Sequence, residues 1–152
     1  MVFRVNEAGS DGTLWYGSER SCMVFFQGCL HNCSDCPYPS YKPLYGGFKA
    51  DTEHFKKAIV ANPDICILQL GGGEPFVQVV AALDLAKFAK SHGLRVECRT
   101  GYKIEDILEW EDNREELLKN IDVLVDGPCT KQRVVDVKKS LEKGEVVLYE
   151  SK

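Results

Sequence analysis

No apolar stretch in this sequence approaches the ~20 residues that a membrane-spanning helix requires. Dense runs of Lys and Arg are missing too. The basic stretch Lys138-Lys139 sits in a segment that also carries Asp136 and Glu142, the pattern of a solvated helix face. With a formal net charge of −4 and no basic face, the chain is not expected to bind nucleic acid or a membrane surface. The N-terminal stretch Met1-Val2-Phe3-Arg4-Val5-Asn6-Glu7 lacks a long apolar run and carries an acid early. It therefore does not read as a secretory signal, and a cytoplasmic protein is expected. Repeats, low-complexity segments and long linkers are absent as well. The 152 residues predict one domain over 1–152, and a domain of this size buries roughly 70% of the surface its unfolded chain exposes. Apolar residues make up 44% of the chain, enough for one continuous core without cross-links.

What is present is cysteine, seven in all. The number is odd and the expected compartment keeps thiols reduced, so metal binding or catalysis is a better reading than a disulfide framework. Three of the seven stand in Gly28-Cys29-Leu30-His31-Asn32-Cys33-Ser34-Asp35-Cys36, spaced C-x3-C-x2-C in a polar loop. Such thiols can converge on one point. Zinc would need a fourth ligand: His31 is too close within the loop to supply it, Cys66, Cys98 and Cys129 each stand alone, and no second C-x2-C exists. Iron–sulfur clusters take thiolates, usually four. Cys29, Cys33 and Cys36 are thus expected to hold a [4Fe–4S] cluster with one iron left open for chemistry.

Hydrophobic patterning predicts an α/β chain. Cys22–Phe26 reads as the first buried strand, residues 51–61 as a helix capped by Asp51 or Thr52 and stopped by Asn62-Pro63, and Ile65–Leu70 as the next strand. The turn Gly71-Gly72-Gly73-Glu74-Pro75 follows. Residues 76–92 form an apolar helix closed by Gly93, Val96–Cys98 a short strand, and 104–118 a helical stretch. Ile121–Val125 reads as a strand, 131–142 as a helix and Glu145–Tyr149 as a last strand. Short apolar strands alternating with helices imply β/α units and a mainly parallel sheet of about five strands. A full eight-stranded barrel typically needs ~250 residues, so a single-domain partial, open β/α barrel is expected. Ligands of such sheets bind beyond the carboxyl ends of the strands, where the cysteine loop and the glycine loop both fall. The glycine loop alone is a weak signal. It matches neither a dinucleotide fingerprint nor a phosphate loop, although glycines do permit a close approach to the backbone. Cys22, Cys66 and Cys98, on apolar strands, read as core residues; His54 and His92 read as exposed on helices.

C-x3-C-x2-C directly after a strand resembles the signature of the radical S-adenosylmethionine superfamily. The stretch Phe25-Phe26-Gln27-Gly28-Cys29-Leu30-His31-Asn32-Cys33 is similar to the activating proteins of anaerobic ribonucleotide reductases. The likeness continues through Gly72-Gly73-Glu74-Pro75, Thr100-Gly101-Tyr102, Ile121-Asp122-Val123-Leu124-Val125-Asp126-Gly127-Pro128 and Gln132-Arg133-Val134-Val135-Asp136-Val137. Three features depart from that pattern. Asp35 stands where a small Gly is usual, Cys36-Pro37-Tyr38-Pro39-Ser40-Tyr41 replaces the usual stretch, and the segment between Pro128 and Gln132 is shortened.

The resemblance implies a radical SAM enzyme that cleaves S-adenosylmethionine reductively at the cluster and makes a 5′-deoxyadenosyl radical. That radical would generate a glycyl radical on a large partner enzyme, anaerobic ribonucleotide reductase, with electrons from a donor such as flavodoxin or ferredoxin. It further implies that Gly72, Gly73 and Glu74 hold the amino group of the cofactor's methionine, and that Asp35 and Pro37, through their backbone, and the ring of Tyr38 contact the cofactor. Beyond the cluster ligands no catalytic side chain is implied, since hydrogen-atom abstraction needs no general base. Asp126 is open to a cofactor contact or a turn-capping role, and Cys129 is unassigned. Two alternatives stand beside the activase. One is a radical SAM enzyme acting on a small molecule, as deazapurine carboxy-synthases do. The other is a non-catalytic iron–sulfur or zinc module.

Overall fold

The computed structural model describes residues 1–5, 13–16, 19–30, 44, 47–128 and 131–150. Within them the order is β1 (Val2–Val5), β2 (Thr13–Tyr16), β3 (Glu19–Phe26), β4 (Phe48–Asp51), α1 (Thr52–Ala61), β5 (Ile65–Gly72), a 3₁₀ turn (Pro75–Gln78), α2 (Val79–Ser91), β6 (Arg95–Arg99), α3 (Ile104–Glu109), α4 (Asn113–Lys119), β7 (Val123–Asp126), β8 (Arg133–Asp136) and α5 (Val137–Lys143). The strands make one sheet in the order β4-β1-β3-β5-β6-β7-β8, with β2 also paired to β3.

The expected β/α repeat is the centre of this sheet. β3, β5, β6 and β7 run parallel, with Phe26 opposite Gly72, Leu70 opposite Cys98 and Arg99 opposite Val125. The flanks are antiparallel: β1 and β2 against β3, β4 against β1, and β8 against β7. Cys22–Phe26 is therefore not the first strand, and the described strands number eight rather than about five. β7 overlaps the expected strand Ile121–Val125, but β1, β2, β4 and β8, of four residues each, carry too little periodicity to be read from sequence. Their neighbours' hydrogen bonds hold them extended.

Two C-terminal expectations are corrected. Residues 131–142 are not one helix, because Arg133–Asp136 pairs with β7 before α5 begins. Val134 and Val135 suit a pleated edge, and the Asp136 side chain then caps α5 by accepting from Lys139 N. The segment 145–149 is not a strand. It touches the sheet at one bridge, Leu148 with Val135. The helical stretch 104–118 is two helices, broken near Glu111, whose φ of 49° is left-handed.

Helix α1 begins as expected, with the Asp51 carboxylate accepting from Glu53 N. On α2, Ala81, Ala82, Leu85, Ala86 and Ala89 are buried at helical spacing. They meet Val24, Leu68, Leu70, Val96, Cys98, Leu124 and Val135 in one core on one face of the sheet. Phe3, Phe26 and Phe55 pack there at ring separations of 5.3 and 5.8 Å. Burying a side chain of this size contributes about 1.5–3 kcal/mol.

A bulge explains the one misplaced core cysteine. β3 pairs Arg20 with Ile65 but Ser21 with Ile67, so Cys66 has no opposite residue. The extra residue reverses the pleat. Ile65 joins the core and Cys66 is exposed. Cys22 and Cys98 are buried as expected; burial pushes the Cys22 thiol up to about 12.

Candidate cluster and cofactor site

Because β3 and β5 are parallel neighbours in register, the loops that follow them leave the sheet side by side. The root of the cysteine loop, Gln27-Gly28, is held by the glycine loop directly. Gly73 N donates to Phe26 O at 2.7 Å and Glu74 N donates to Gly28 O at 2.8 Å. The approach is close enough to demand glycine. A Cβ on Gly73 would lie 2.5 Å from Gly28 O, and one on Gly72, at a φ of +89°, would lie 2.8 Å from Phe26 O. The backbone nearest these glycines is thus the protein's own. By contrast, a Cβ on Gly71 meets no described atom within 4 Å.

Glu74 is 1% exposed. Its carboxylate caps the 3₁₀ turn by accepting from Phe76 N at 3.1 Å, and Pro75 fills the first position of that turn. It also accepts from Thr100 Oγ1 at 2.8 and 2.9 Å and from Gly101 N at 2.7 Å. Thr100 Oγ1 in turn accepts from Tyr102 N at 3.2 Å. Thr100-Gly101-Tyr102, which stands in the likeness without a role, is therefore the partner of the glycine loop. The Glu74 carboxylate is turned into this buried network, which ties the end of β5 to the end of β6.

The same lacing continues across the sheet. Asp126 is fully buried at the end of β7. It accepts from Ile104 N at 2.8 Å, capping α3 from a distance, and from Arg133 Nε and a terminal guanidinium nitrogen at 2.9 and 2.7 Å. Of the two roles open to Asp126, capping is the one these contacts display. Arg133 also reaches Glu105 at 2.6 Å. That hydrogen bond holds the Glu105 carboxyl below its ordinary value. Tyr102 stacks edge-on against Trp110 at 4.8 Å. Burial first, then the nearby Glu74 charge, raises its phenol above its usual value.

Sequence reasoning missed Gln78. Its side-chain amide donates to Arg4 O at 2.8 Å and to Gln27 O at 2.9 Å, and accepts from Arg4 N at 2.8 Å. One residue thus fastens β1 to the root of the cysteine loop. The signal was present as the one amide at the apolar start of the predicted helix 76–92.

Of the three cluster cysteines, Cys29 is half-buried at the mouth of the loop, beside exposed Leu30. Cys33 and Cys36 lie outside the described residues, as do His31, Asp35, Pro37, Tyr38 and Cys129. The donor chemistry of Cys29, Cys33 and Cys36 suits an iron–sulfur cluster. Gly71, next to two glycines at the carboxyl end of the sheet, has no described atom within 4 Å of the position its Cβ would take.

Comparisons with known proteins identify the family. The model of the family described as "4Fe-4S single cluster domain" matches residues 16–144. An anaerobic ribonucleoside-triphosphate reductase-activating protein of Vibrio cholerae is 32% identical over 124 residues, covering 73% of this chain and 75% of its own. A putative glycyl-radical enzyme activating enzyme of Methanocaldococcus jannaschii is 27% identical over 138 residues. That match covers 89% of this chain and 54% of the longer protein. The chain belongs to the 4Fe-4S single cluster domain family and, among radical S-adenosylmethionine enzymes, to the activating enzymes of glycyl-radical proteins.

Proposed function

We propose that this chain generates a glycyl radical on anaerobic ribonucleotide reductase. In this reading Cys29, Cys33 and Cys36 carry one [4Fe–4S] cluster, and S-adenosylmethionine binds beside it. Together the two cofactors supply one-electron cleavage of a sulfonium carbon–sulfur bond, which the protein's own side chains cannot do. The single observation that carries the reading is the lock between the two loops, Gly73 N to Phe26 O and Glu74 N to Gly28 O. It puts the proposed cofactor loop within a hydrogen bond of the loop that bears the cluster thiols.

The residues then divide the work. Gly72 and Gly73 present backbone to the methionyl amino group. Glu74 contributes by fixing that backbone, since its carboxylate is engaged by Thr100 and Gly101. Asp35, Pro37 and Tyr38 complete the cofactor pocket from the cysteine loop. The described helices pack into one core on one face of the sheet. This supports a single-domain, open partial barrel that admits a glycine loop of the partner, with flavodoxin or ferredoxin as electron donor in the cytoplasm. No described helix is long and apolar enough to cross a membrane.

The test is anaerobic reconstitution with iron and sulfide, reduction, and electron paramagnetic resonance with and without S-adenosylmethionine. The expected result is a [4Fe–4S]⁺ signal that changes when the cofactor is added. A glycyl radical should follow when anaerobic ribonucleotide reductase is supplied. A cluster that ignores the cofactor defeats the reading. A cofactor-responsive cluster without a glycyl radical on the reductase defeats only the choice of partner.

A further inference from the structure

Arg99 ends β6 on the face of the sheet opposite the helices. The alternation places Val96 and Cys98 in the core and Arg95, Glu97 and Arg99 on the other side. The other charges of this strand are matched. The Glu97 carboxylate accepts from Arg95 Nε at 2.9 Å and from Gln69 Nε2 at 3.0 Å. Arg99 is exposed, and its guanidinium makes no ion pair or hydrogen bond with any described residue.

On one side Arg99 is opposite Val125. On the other, one step beyond the Leu70–Cys98 pair, it stands beside Gly71, where a side chain would meet no described atom within 4 Å. Neighbouring strands lie about 4.8 Å apart, so Arg99 is one strand spacing from the start of the glycine loop. Parallel sheets bind ligands at this carboxyl end. A guanidinium presents a planar fork that matches a carboxylate.

We propose that Arg99 anchors the α-carboxylate of the methionyl group of S-adenosylmethionine, while the glycine loop takes the amino group. The assignment rests on the function proposed above. It makes Arg99 a binding residue that holds one end of the cofactor's zwitterion.

The experiment measures equilibrium binding to the reconstituted full chain for wild type, Arg99→Leu and Arg99→Lys. Two ligands are compared, S-adenosylmethionine and its decarboxylated analogue. Arg99→Leu should weaken S-adenosylmethionine about tenfold or more and change the affinity of the analogue by less than about twofold. Arg99→Lys should fall between. Thermal melts should show the same midpoint for all three proteins, because substitution of an exposed side chain changes stability little. Equal binding of S-adenosylmethionine by Arg99→Leu and wild type overturns the assignment. So does an equal weakening of both ligands. A wild-type protein that holds its cluster but binds no S-adenosylmethionine overturns the proposed function itself, a result distinct from either of these.

Discussion

Glu74 shows at the scale of one residue how a motif's chemistry and its packing can differ. A Gly-Gly-Glu run beside a cysteine loop suggests a carboxylate aimed at a ligand. In the fold, both carboxylate oxygens accept hydrogen bonds, from Phe76 N, Thr100 Oγ1 and Gly101 N. Glu74→Gln keeps the shape but places an NH₂ donor among those donors. The substitution should cost about 1–3 kcal/mol, read as a lower urea midpoint with an unchanged slope. Midpoints that coincide would show that the carboxylate network adds nothing to the fold. Cysteine was partly legible at this scale. Spacing separated Cys29, Cys33 and Cys36 from the isolated thiols, and strand pattern placed Cys22 and Cys98 inside. Cys66 was misplaced because a bulge, which depends on how two strands pair, has no signature in one of them.

At the scale of elements, the joint between β3 and β5 decides the site. Gly73→Ala would press a Cβ against Gly28 O, a backbone atom with no freedom to rotate away. It should lower stability by about 1–3 kcal/mol and reduce the iron retained after reconstitution. Gly71→Ala meets no described atom within 4 Å and should stay within about 0.5 kcal/mol of wild type. Equal iron content in both variants would mean that the glycine loop does not hold the cysteine loop.

The joint between α1 and α2 carries a pH dependence. Asp84 accepts from Thr52 Oγ1 at 2.8 Å and from Lys56 Nζ at 2.9 Å. Burial alone would raise its carboxyl, but these hydrogen bonds outweigh burial and hold it below its ordinary value. A folded value below the unfolded one makes this stabilisation fully present above the unfolded pKa of about 3.9, and it disappears as pH falls through the lower folded value. Asp84→Asn should therefore be less stable than wild type at pH 7. Denaturation curves should show the gap closing as pH falls below the unfolded pKa, and a gap that persists in strong acid would assign the effect to packing instead.

Across the whole molecule, the carboxyl ends of the central strands are tied in sequence. Gly73 and Glu74 join β3 to β5, Glu74 and Thr100 join β5 to β6, and Asp126 and Arg133 join β7 to β8. Arg133→Leu would leave the fully buried Asp126 without its guanidinium. The loss of a buried partner typically costs about 3–5 kcal/mol. Here Ile104 N remains on the carboxylate, so a figure near about 3 kcal/mol is expected from chemical denaturation. A loss under about 0.5 kcal/mol would place the Asp126 charge in effective contact with water.

The sequence by itself determined the α/β class, the parallel centre, α1 and α2 to within a few residues, and the C-x3-C-x2-C spacing. Each of these depends on local spacing: helical period, short apolar runs, or thiols close along the chain. Only the tertiary structure decided the antiparallel flanks, the strand at Arg133–Asp136, the exposure of Cys66 and the inward turn of Glu74. It alone placed Gln78 on the root of the cysteine loop and left Arg99 without a counter-charge among the described residues. These features are set by which backbone groups meet across the sheet, and residues far apart in the chain supply those partners.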